Sequence, residues 1–271
     1  MRDGGGSLEV SGLSLLLDER TILGDITFSA SAGDFICIVG RNGAGKSTLF
    51  KCIAGIYKNF SGTIDIDGRR SISISERDRA RLIAYVPQSS PQNIPYTVRE
   101  FMEMSRYSWR GVSSPAEDSR AVSEAFDMTD TGSLTDRRMD SLSGGERQKV
   151  MIASAIAQET GIILMDEPTS YLDYAHQAET AEVMTRINVE RGVTMLAVTH
   201  DINMAVRSSR RIVALSGGRV LWGGQPNDIL DESLLQSIYG VSFEWYFPGC
   251  SCESGYPLLA PTQSKGVLRL V

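Results

Sequence analysis

The stretch from Gly40 to Ser47, which reads GRNGAGKS, constrains the fold of this chain more than any other. It follows Phe35–Val39, a short apolar run rich in β-branched residues that is typical of a buried parallel strand. Helical spacing begins after the glycines and ends near Gly55. Because a glycine-rich loop between a strand and a helix presents backbone N–H groups to an anion, this segment predicts a phosphate-binding loop in an α/β sheet.

The residue types within the loop fit a nucleoside triphosphate with Mg²⁺. Gly40, Gly43 and Gly45 allow the tight turns through which amides, rather than side chains, face the phosphates. Lys46 is expected to reach the β- and γ-phosphates, and the hydroxyl of Ser47 to bind Mg²⁺. The predicted nucleotide-binding residues are Gly40, Arg41, Asn42, Gly43, Ala44, Gly45, Lys46, Ser47 and Thr48.

A second apolar run, Ile162–Met165, has the character of a buried strand and leads into Asp166 and Glu167. Ligands of open α/β sheets bind at the carboxyl ends of the strands, so both carboxylates are expected to face the phosphate-binding loop. Asp166 is predicted to hold the Mg²⁺ ion. Glu167 is predicted to be the general base for a water that attacks the γ-phosphate, a role worth roughly 10²–10⁴-fold in rate.

A second glycine-rich helix start reads LSGGE and precedes the predicted helix Glu146–Ala157. The amides of Ser143, Gly144 and Gly145, with the Ser143 hydroxyl, would form another cluster of donors at a helix N-terminus. Taken alone, the pattern favours an ordinary serine N-cap. One loop already holds a nucleotide's phosphates, so a second cluster of donors indicates a nucleotide that is bound elsewhere.

LSGGE resembles the signature sequence of ATP-binding cassette (ABC) proteins, and the remaining motifs follow in that family's order. Gln88 resembles the glutamine of the Q-loop, and Asp173 the aspartate of the D-loop. His200 follows the apolar strand Thr194–Val198 and resembles the switch histidine. The resemblance extends from about Leu8 to Val241, which is nearly the whole chain.

The resemblance implies ATP as the nucleotide and assigns a role to each motif. Glu167, His200 and Gln88 would form the catalytic set, and Gln88 would join Ser47 and Asp166 at the Mg²⁺ site. In this family two copies form a head-to-tail homodimer, in which each copy completes the ATP site of the other through an isologous interface. The residues that would act in trans are Ser143, Gly144, Gly145 and Asp173.

One position departs from the family pattern. ABC proteins usually carry an aromatic residue shortly before the phosphate-binding loop, on which adenine stacks, and Leu17 aligns with that position here. Base–aromatic stacking is worth roughly 1–3 kcal/mol, of which leucine recovers only the apolar part. We therefore predict weaker purine discrimination and a higher ATP requirement.

The order of motifs predicts an α/β fold: a P-loop NTPase core with a mixed sheet, a small antiparallel β-subdomain and an inserted α-helical subdomain. The nucleotide-binding domain would span residues 1–240, with the helical subdomain at about 89–158 and a C-terminal extension at 241–271. We expect the arginines at 69–70 and 77–81 to be solvated. His176 is expected to be a helix-surface residue.

The charge balance and apolar runs limit the function classes. A formal net charge of -6 over 271 residues provides no electrostatic footprint for nucleic acid. The sequence shows neither a secretory signal nor a run of about 18 apolar residues, so a transport role would need separate membrane subunits.

Cys37 and Cys52 are predicted to be buried in a reducing compartment. Cys250 and Cys252 lack further ligands for a metal set.

Short segments outside the main motifs resemble importers of iron–siderophore complexes, haem and cobalamin. These segments are Tyr96–Glu100, Ser105–Tyr107, His176-Gln177 and the stretch from Gln225 to Val241. They predict the ATP-hydrolysing subunit of a bacterial metal-chelate importer, located at the cytoplasmic face of the cell membrane. Its partners would be two membrane permease subunits and an extracytoplasmic substrate-binding protein. Two alternatives stay open: an ABC transporter with a different permease, either an importer of another cargo such as Mn or Zn or an exporter, and a soluble ABC ATPase for iron–sulfur cluster assembly.

Overall fold

A computed structural model describes residues 5–88, 94–170, 172–246 and 258–261. The strands are β1 (Leu8–Leu17), β2 (Arg20–Ala30), β3 (Phe35–Val39), β4 (Ser61–Ile66), β5 (Arg69–Arg70), β6 (Ile83–Val86), β7 (Ile162–Asp166), β8 (Thr194–Val198), β9 (Arg211–Ser216), β10 (Arg219–Gly224), β11 (Phe243–Tyr246) and β12 (Leu258–Pro261). The helices are α1 (Lys46–Ile53), α2 (Glu76–Arg79), α3 (Val98–Ser105), α4 (Pro115–Thr129), α5 (Gly144–Ala157), α6 (Tyr174–Arg191), α7 (Ile202–Ser208) and α8 (Glu232–Tyr239).

The central sheet has six strands in the order β10-β9-β3-β8-β7-β6. All its pairs are parallel except β10 with β9, which is antiparallel. Every residue of β3, β7 and β8 is buried, as their unbroken apolar sequences predict for strands that are covered on both faces. The carboxyl ends of these strands meet at one edge of the sheet. There the phosphate-binding loop follows β3, Asp166 is the last residue of β7, and His200 stands two residues after β8.

Two hydrophobic cores lie on opposite faces of the central sheet. Alternation along β3 sends Ile36 and Ile38 into one core and Phe35, Cys37 and Val39 into the other. The first core is covered by α1 and a four-stranded antiparallel sheet of order β2-β1-β4-β5. The second is covered by helices, α5 and α6 among them. The predicted mixed sheet and antiparallel β-subdomain are therefore present.

Two cysteines lie inside the hydrophobic cores: Cys37 in the second core and Cys52 in the first. Cys37 on β3 and Cys52 on α1 are both free and buried, as predicted. Burial raises the pKa of each thiol to about 12, which keeps both in the unreactive protonated form. Cys250 and Cys252 lie outside the described residues.

Three helices between the Q-loop glutamine and β7 form the predicted helical region. The helices α3, α4 and α5 each begin with a full capping box, at Thr97, Ser114 and Ser143 respectively. The ends of α3 and α5 are joined by Arg106, whose side chain is 4% exposed. Its guanidinium contacts Asp118 at 2.8 Å and Glu159 at 2.9 Å. It also donates to the carbonyl of Ala157 at the end of α5, at 2.6 Å.

The expectation that residues 77–81 are solvated is wrong for two of the arginines. Arg79 is buried and donates to the carbonyl oxygen of Ser71 at 2.5 Å. Arg81 donates to the carbonyl oxygen of Ser108 at 2.8 Å and lies over the ring of Trp109, 5.5 Å from its centroid. Both serines are buried, and the long guanidinium side chains supply the donors that their carbonyl groups need.

The last described strands, β11 and β12, form a separate antiparallel pair. The sequence after Val241 carries no periodicity that predicts them. No helix among the described residues is both long and apolar enough to cross a bilayer.

Candidate functional site

The phosphate-binding loop joins β3 to α1 and has little room for side chains at two of its glycines. Gly40 has a φ of 141°, and a Cβ there would lie 2.2 Å from the carbonyl oxygen of Leu215. Gly45 is the left-handed N-cap of α1 with a φ of 94°, and its Cβ would meet the Leu23 side chain at 2.7 Å. Only glycine satisfies both the left-handed backbone and the close packing.

Lys46 lies inside the loop rather than in solvent. Its ammonium donates to the carbonyl oxygens of Gly40 at 2.7 Å and Arg41 at 2.9 Å, and the residue is 5% exposed. Burial lowers the pKa of this lysine, and the negative charges of Glu167 and Asp166 oppose that effect. A buried cation therefore sits beside two carboxylates, inside a ring of backbone groups.

Asp166, the last residue of β7, is buried and held by two hydroxyl groups. Ser47 donates to one of its carboxylate oxygens at 2.9 Å, and the hydroxyl of Tyr85 donates to the other at 3.1 Å. Burial raises the pKa of Asp166, while these two hydrogen bonds act in the opposite direction. Carboxylate and hydroxyl oxygens are the ligands that Mg²⁺ prefers, and a bound cation would offset the burial of this charge. The residues present therefore fit the metal.

Glu167 adopts a backbone conformation that is rare for a glutamate. Its φ is 51°, in the left-handed region, and its amide donates to the carbonyl of Val198 on the neighbouring strand β8 at 3.0 Å. This turn directs the carboxylate toward the end of β8. There it accepts hydrogen bonds from the Gln88 amide and, at 2.8 Å, from the Ser170 hydroxyl, and it contacts Nε2 of His200.

A cleft of about 630 Å³ opens above these groups. It brings together predicted residues from the loop, the Q-loop, the end of β7 and the end of β8. The predicted residues Gly40, Arg41, Ala44 and Asp166 are not part of its described lining. Its lining among the described residues is Asn42, Gly43, Gly45, Lys46, Ser47, Thr48, Gln88, Glu167, Ser170 and His200.

The signature residues lie outside this cleft, at the start of α5. The hydroxyl of Ser143 accepts a hydrogen bond from the Glu146 amide at 3.2 Å, and the Glu146 carboxylate accepts one from the Ser143 amide at 2.8 Å. Ser143 and Gly144 are exposed, and Gly145 is buried. Ser143 therefore forms the serine N-cap that the sequence LSGGE predicts when it is taken alone. Ser143 and Gly144 remain exposed on the outer side of this helix start.

Asp173 also lies apart from the cleft, at the N-cap of α6. Its carboxylate accepts hydrogen bonds from the backbone amide of His176 at 2.9 Å and from the ring at 2.8 Å. Hydrogen bonding from the His176 backbone lowers the pKa of Asp173. His176 is half-buried, which agrees with the predicted position on a helix surface. The sequence did not predict that its ring contacts Asp173. Tyr171, which precedes this cap, lies outside the described residues.

Sequence reasoning missed two residues of the cleft region, Tyr85 and Ser170. Tyr85 lies on β6, the neighbour of β7, so its position beside Asp166 follows from strand order rather than from any motif. Ser170 stands three residues after Glu167, within reach of its carboxylate. Leu17 is half-buried at the end of β1, where it packs against the first core. It is not part of the described lining of the cleft.

Comparison with known proteins agrees with this geometry. The family described as ABC transporter matches residues 23–170, more than half of the chain. The chain belongs to the ABC transporter family. It is 36% identical to the petrobactin import ATP-binding protein of Bacillus anthracis, over 83% of this chain and 84% of that protein. It is 35% identical to the ferric enterobactin transport ATP-binding protein of Escherichia coli, over 84% of this chain and 85% of the other.

Solved structures extend the likeness to the whole fold. An inward-facing metal-chelate type ABC transporter matches with a TM-score of 0.80 and 26% identity, over 95% of this chain and 98% of that one. A dimeric bacterial ABC transporter cassette matches with a TM-score of 0.72 and 29% identity, over 81% of this chain and 98% of the other. The predicted family and the predicted fold class are both confirmed.

Proposed function

We propose that this protein is the ATP-hydrolysing subunit of a bacterial importer that takes up a metal chelate through a separate membrane permease. The observation that carries the ATPase assignment is the convergence of Lys46, Asp166 and Glu167 at one edge of the central sheet. The loop amides and the Lys46 ammonium would bind the β- and γ-phosphates of ATP. Lys46 would exchange its contacts to loop carbonyls for contacts to phosphate oxygens.

Mg²⁺ would be held by Ser47, Asp166 and Gln88. The ion would neutralise charge on the phosphate oxygens when it is bound. The hydrogen bond from Ser47 to Asp166 already holds two of these oxygen donors 2.9 Å apart, which keeps their side chains oriented for a shared ligand.

Glu167 would take the proton of the attacking water. Three partners, Gln88, Ser170 and His200, fix the orientation of its carboxylate. A base that is already oriented needs little rearrangement as the proton moves. His200 and Gln88 also line the cleft, from which they would contact the γ-phosphate.

Two copies would close on two ATP molecules, each with its Ser143, Gly144, Gly145 and Asp173 against the nucleotide of the other. The exposure of Ser143 and Gly144 supports this arrangement, because neither residue belongs to the described lining of the subunit's own cleft. ATP would then hold the closed dimer together, and hydrolysis would loosen it. ATP would favour the closed state because it binds that state more tightly. Closure of the two subunits would then move the permease subunits as rigid bodies.

The cargo assignment rests on relatives. Import proteins for petrobactin, hemin and ferric enterobactin are 35–36% identical to this chain, and each alignment covers at least four-fifths of both proteins. Hemin and ferric enterobactin are iron compounds. We infer an iron–siderophore or haem complex, with cobalamin as a further metal chelate. The subunit would lie on the cytoplasmic face of the membrane, beneath two permease subunits that receive cargo from an extracytoplasmic binding protein.

The test is to tag the chain at its C-terminus in its native host, purify it from detergent-extracted membranes, and identify the proteins that co-purify. A permease with several membrane spans supports transport, and a soluble scaffold protein would overturn it. A strain that lacks the chain should then lose uptake of one radiolabelled chelate among iron–siderophore, haem and cobalamin. Loss of Mn or Zn uptake alone, with all three chelates still imported, would contradict the cargo assignment.

A further inference from the structure

The imidazole of His176 contacts two segments that are far apart in sequence. It lies on the first turn of α6, where Nδ1 is 2.8 Å from the carboxylate of Asp173. The other side of the ring lies against Gly145 of the signature. We propose that His176 is a positioning residue that fixes the signature and the N-cap of α6 relative to each other, so that a partner copy meets them as one surface. This inference rests on the proposed closure of two copies on ATP.

The contact with Gly145 is close enough to exclude even a methyl group. A Cβ at this position would lie 2.6 Å from Cδ2 of His176, 3.0 Å from Cγ and 3.1 Å from Nε2. Gly145 lies inside the helical first turn of α5 and does not have a positive φ. The backbone conformation would therefore accept alanine. The requirement for glycine at this position comes from the imidazole ring.

Gly144, the preceding residue, has room for a side chain where Gly145 has none. A Cβ at Gly144 would have no atom of the described residues within 4 Å, and Gly144 is exposed. The first turn of α5 thus has an open side at Gly144 and a side closed by His176 at Gly145. Asp173, at the other end of the contact, has a side chain that is 66% exposed. The ring therefore joins the inner sides of two segments whose outer sides remain available.

A second contact holds α5 and α6 together one turn further along. The ammonium of Lys149 lies 2.5 Å from the carboxylate of Glu179. Lys149 is four residues after Gly145, and Glu179 is three after His176, so the two contacts lie on the same helix faces. This ion pair joins the helices through a contact that does not involve the imidazole. Loss of His176 is therefore expected to loosen the signature without separating the helices.

The proposal predicts a suppression that a purely structural role would not produce. In a Glu167→Gln background, which is expected to trap the closed dimer, Gly145→Ala should raise the ATP concentration for half-maximal dimerisation by at least about tenfold. His176→Ala should raise it by about 3- to 10-fold, since the fixed spacing is lost. The double variant should dimerise at lower ATP than Gly145→Ala alone, because the new methyl group then occupies the space of the ring.

The measurements are light scattering against ATP concentration, together with fluorescent nucleotide binding at a protein concentration too low for dimers. ATP affinity of the single subunit should equal that of the Glu167→Gln parent in every variant, because the added substitutions change no residue of the cleft lining. Thermal unfolding of each variant identifies any that is not folded, and His176→Ala, on a half-buried surface site, provides the readout if Gly145→Ala does not fold. Tyr174→Ala, whose side chain is exposed on the same turn, is the matched control.

Two results would overturn the inference. One is a double variant whose ATP requirement equals the product of the two single effects, which would mean that the ring and the methyl group do not share a space. The other is a His176→Ala variant that dimerises at the same ATP concentration as its parent. If the Glu167→Gln parent itself stays monomeric with saturating ATP, the proposed closure fails instead, and the two failures are thereby distinguished.

Discussion

The cleft and the signature surface are both built at helix N-termini, but they satisfy their polar groups in different ways. In the cleft, Lys46, Asp166 and Glu167 already have partners within the subunit, and all three are largely buried. At the signature, Ser143 makes its N-cap bond while the neighbouring Gly144 stays open. The difference fits the proposed function, in which the cleft binds a nucleotide within one subunit and the signature would be completed by the nucleotide of a second copy.

The strongest test of this division is Glu167→Gln. Turnover should fall by roughly 10²–10⁴-fold because the general base is removed, while ATP binding persists and a dimer accumulates. Phosphate release, nucleotide binding and light scattering measure the three effects. Glu182→Gln, at an exposed position on α6, is the matched control. Hydrolysis at the unmodified rate would show that Glu167 is not the base.

The support of the signature helix is tested by Arg106→Met, which breaks the contact between the end of α3 and the end of α5. Removal of this buried guanidinium takes a close charged partner from both Asp118 and Glu159, which keep Ser113 at 2.7 Å and Arg120 at 3.9 Å respectively. The loss should cost about 3–5 kcal/mol in the free energy of unfolding. Urea unfolding measures the loss. Arg120→Met removes an arginine that is 49% exposed and should cost less than about 1 kcal/mol. Equal losses in both variants would contradict a special role for the buried site.

The cleft alone is tested by Lys46→Ala, which should weaken nucleotide binding itself. Loss of hydrogen bonds from a charged group costs about 1.5–3 kcal/mol, equivalent to about a 10- to 150-fold rise in the dissociation constant for ATP. Lys58→Ala is the control, because that lysine pairs with Glu76 on an exposed surface. Isothermal titration below the dimerisation range measures both. An unchanged affinity in Lys46→Ala would remove this lysine from the binding site.

A smaller effect is expected at the aromatic position that this chain lacks. Leu17→Tyr should tighten ATP binding by up to about 1–3 kcal/mol if adenine stacks there. Leu16→Tyr is the control, since Leu16 is 61% exposed and alternates to the other face of β1. The comparison requires fluorescent nucleotide binding to the single subunit. No change in Leu17→Tyr would mean that the base lies elsewhere.

The smallest predicted effect is a dependence on pH with opposite signs in the two regions. Burial raises the folded-state pKa of Asp166, so its contribution to stability is complete below the ordinary aspartate pKa and is lost as pH rises through the folded value. Asp166→Asn should therefore gain stability relative to the wild type between acidic and neutral buffer. The pKa of Asp173 is lowered, so Asp173→Asn should lose relative stability over the same change. Urea unfolding at several pH values checks both signs, and parallel curves would contradict them.

Strands, loops and helix caps could be predicted from the sequence because their causes are local. The apolar runs of β3, β7 and β8, and the capping box at Thr97, lie where the patterns indicate. The position of His200 beside Glu167 was also predictable, since both follow parallel strands of one sheet. The assigned roles of these side chains in catalysis stay predictions.

Contacts between distant segments were not predictable, because no local pattern encodes them. Tyr85 reaches Asp166 only through the pairing of β6 with β7. The hydrogen bonds of buried Arg79 and half-buried Arg81 depend on carbonyl groups whose positions are set by tertiary packing. The imidazole of His176 meets Gly145 only after α5 and α6 have packed together. In each case the sequence shows the residue type but does not show which distant residue it contacts.

The buried bridge of Arg106 has a mechanical consequence. It fastens the end of α3 to the far end of α5, whose 14 residues span about 20 Å before they reach the glycines at its beginning. The guanidinium is held by two carboxylates and a carbonyl oxygen, so the ends of the two helices should move together. A displacement of α3 would then tilt α5 as a rigid helix and shift the glycines at its other end.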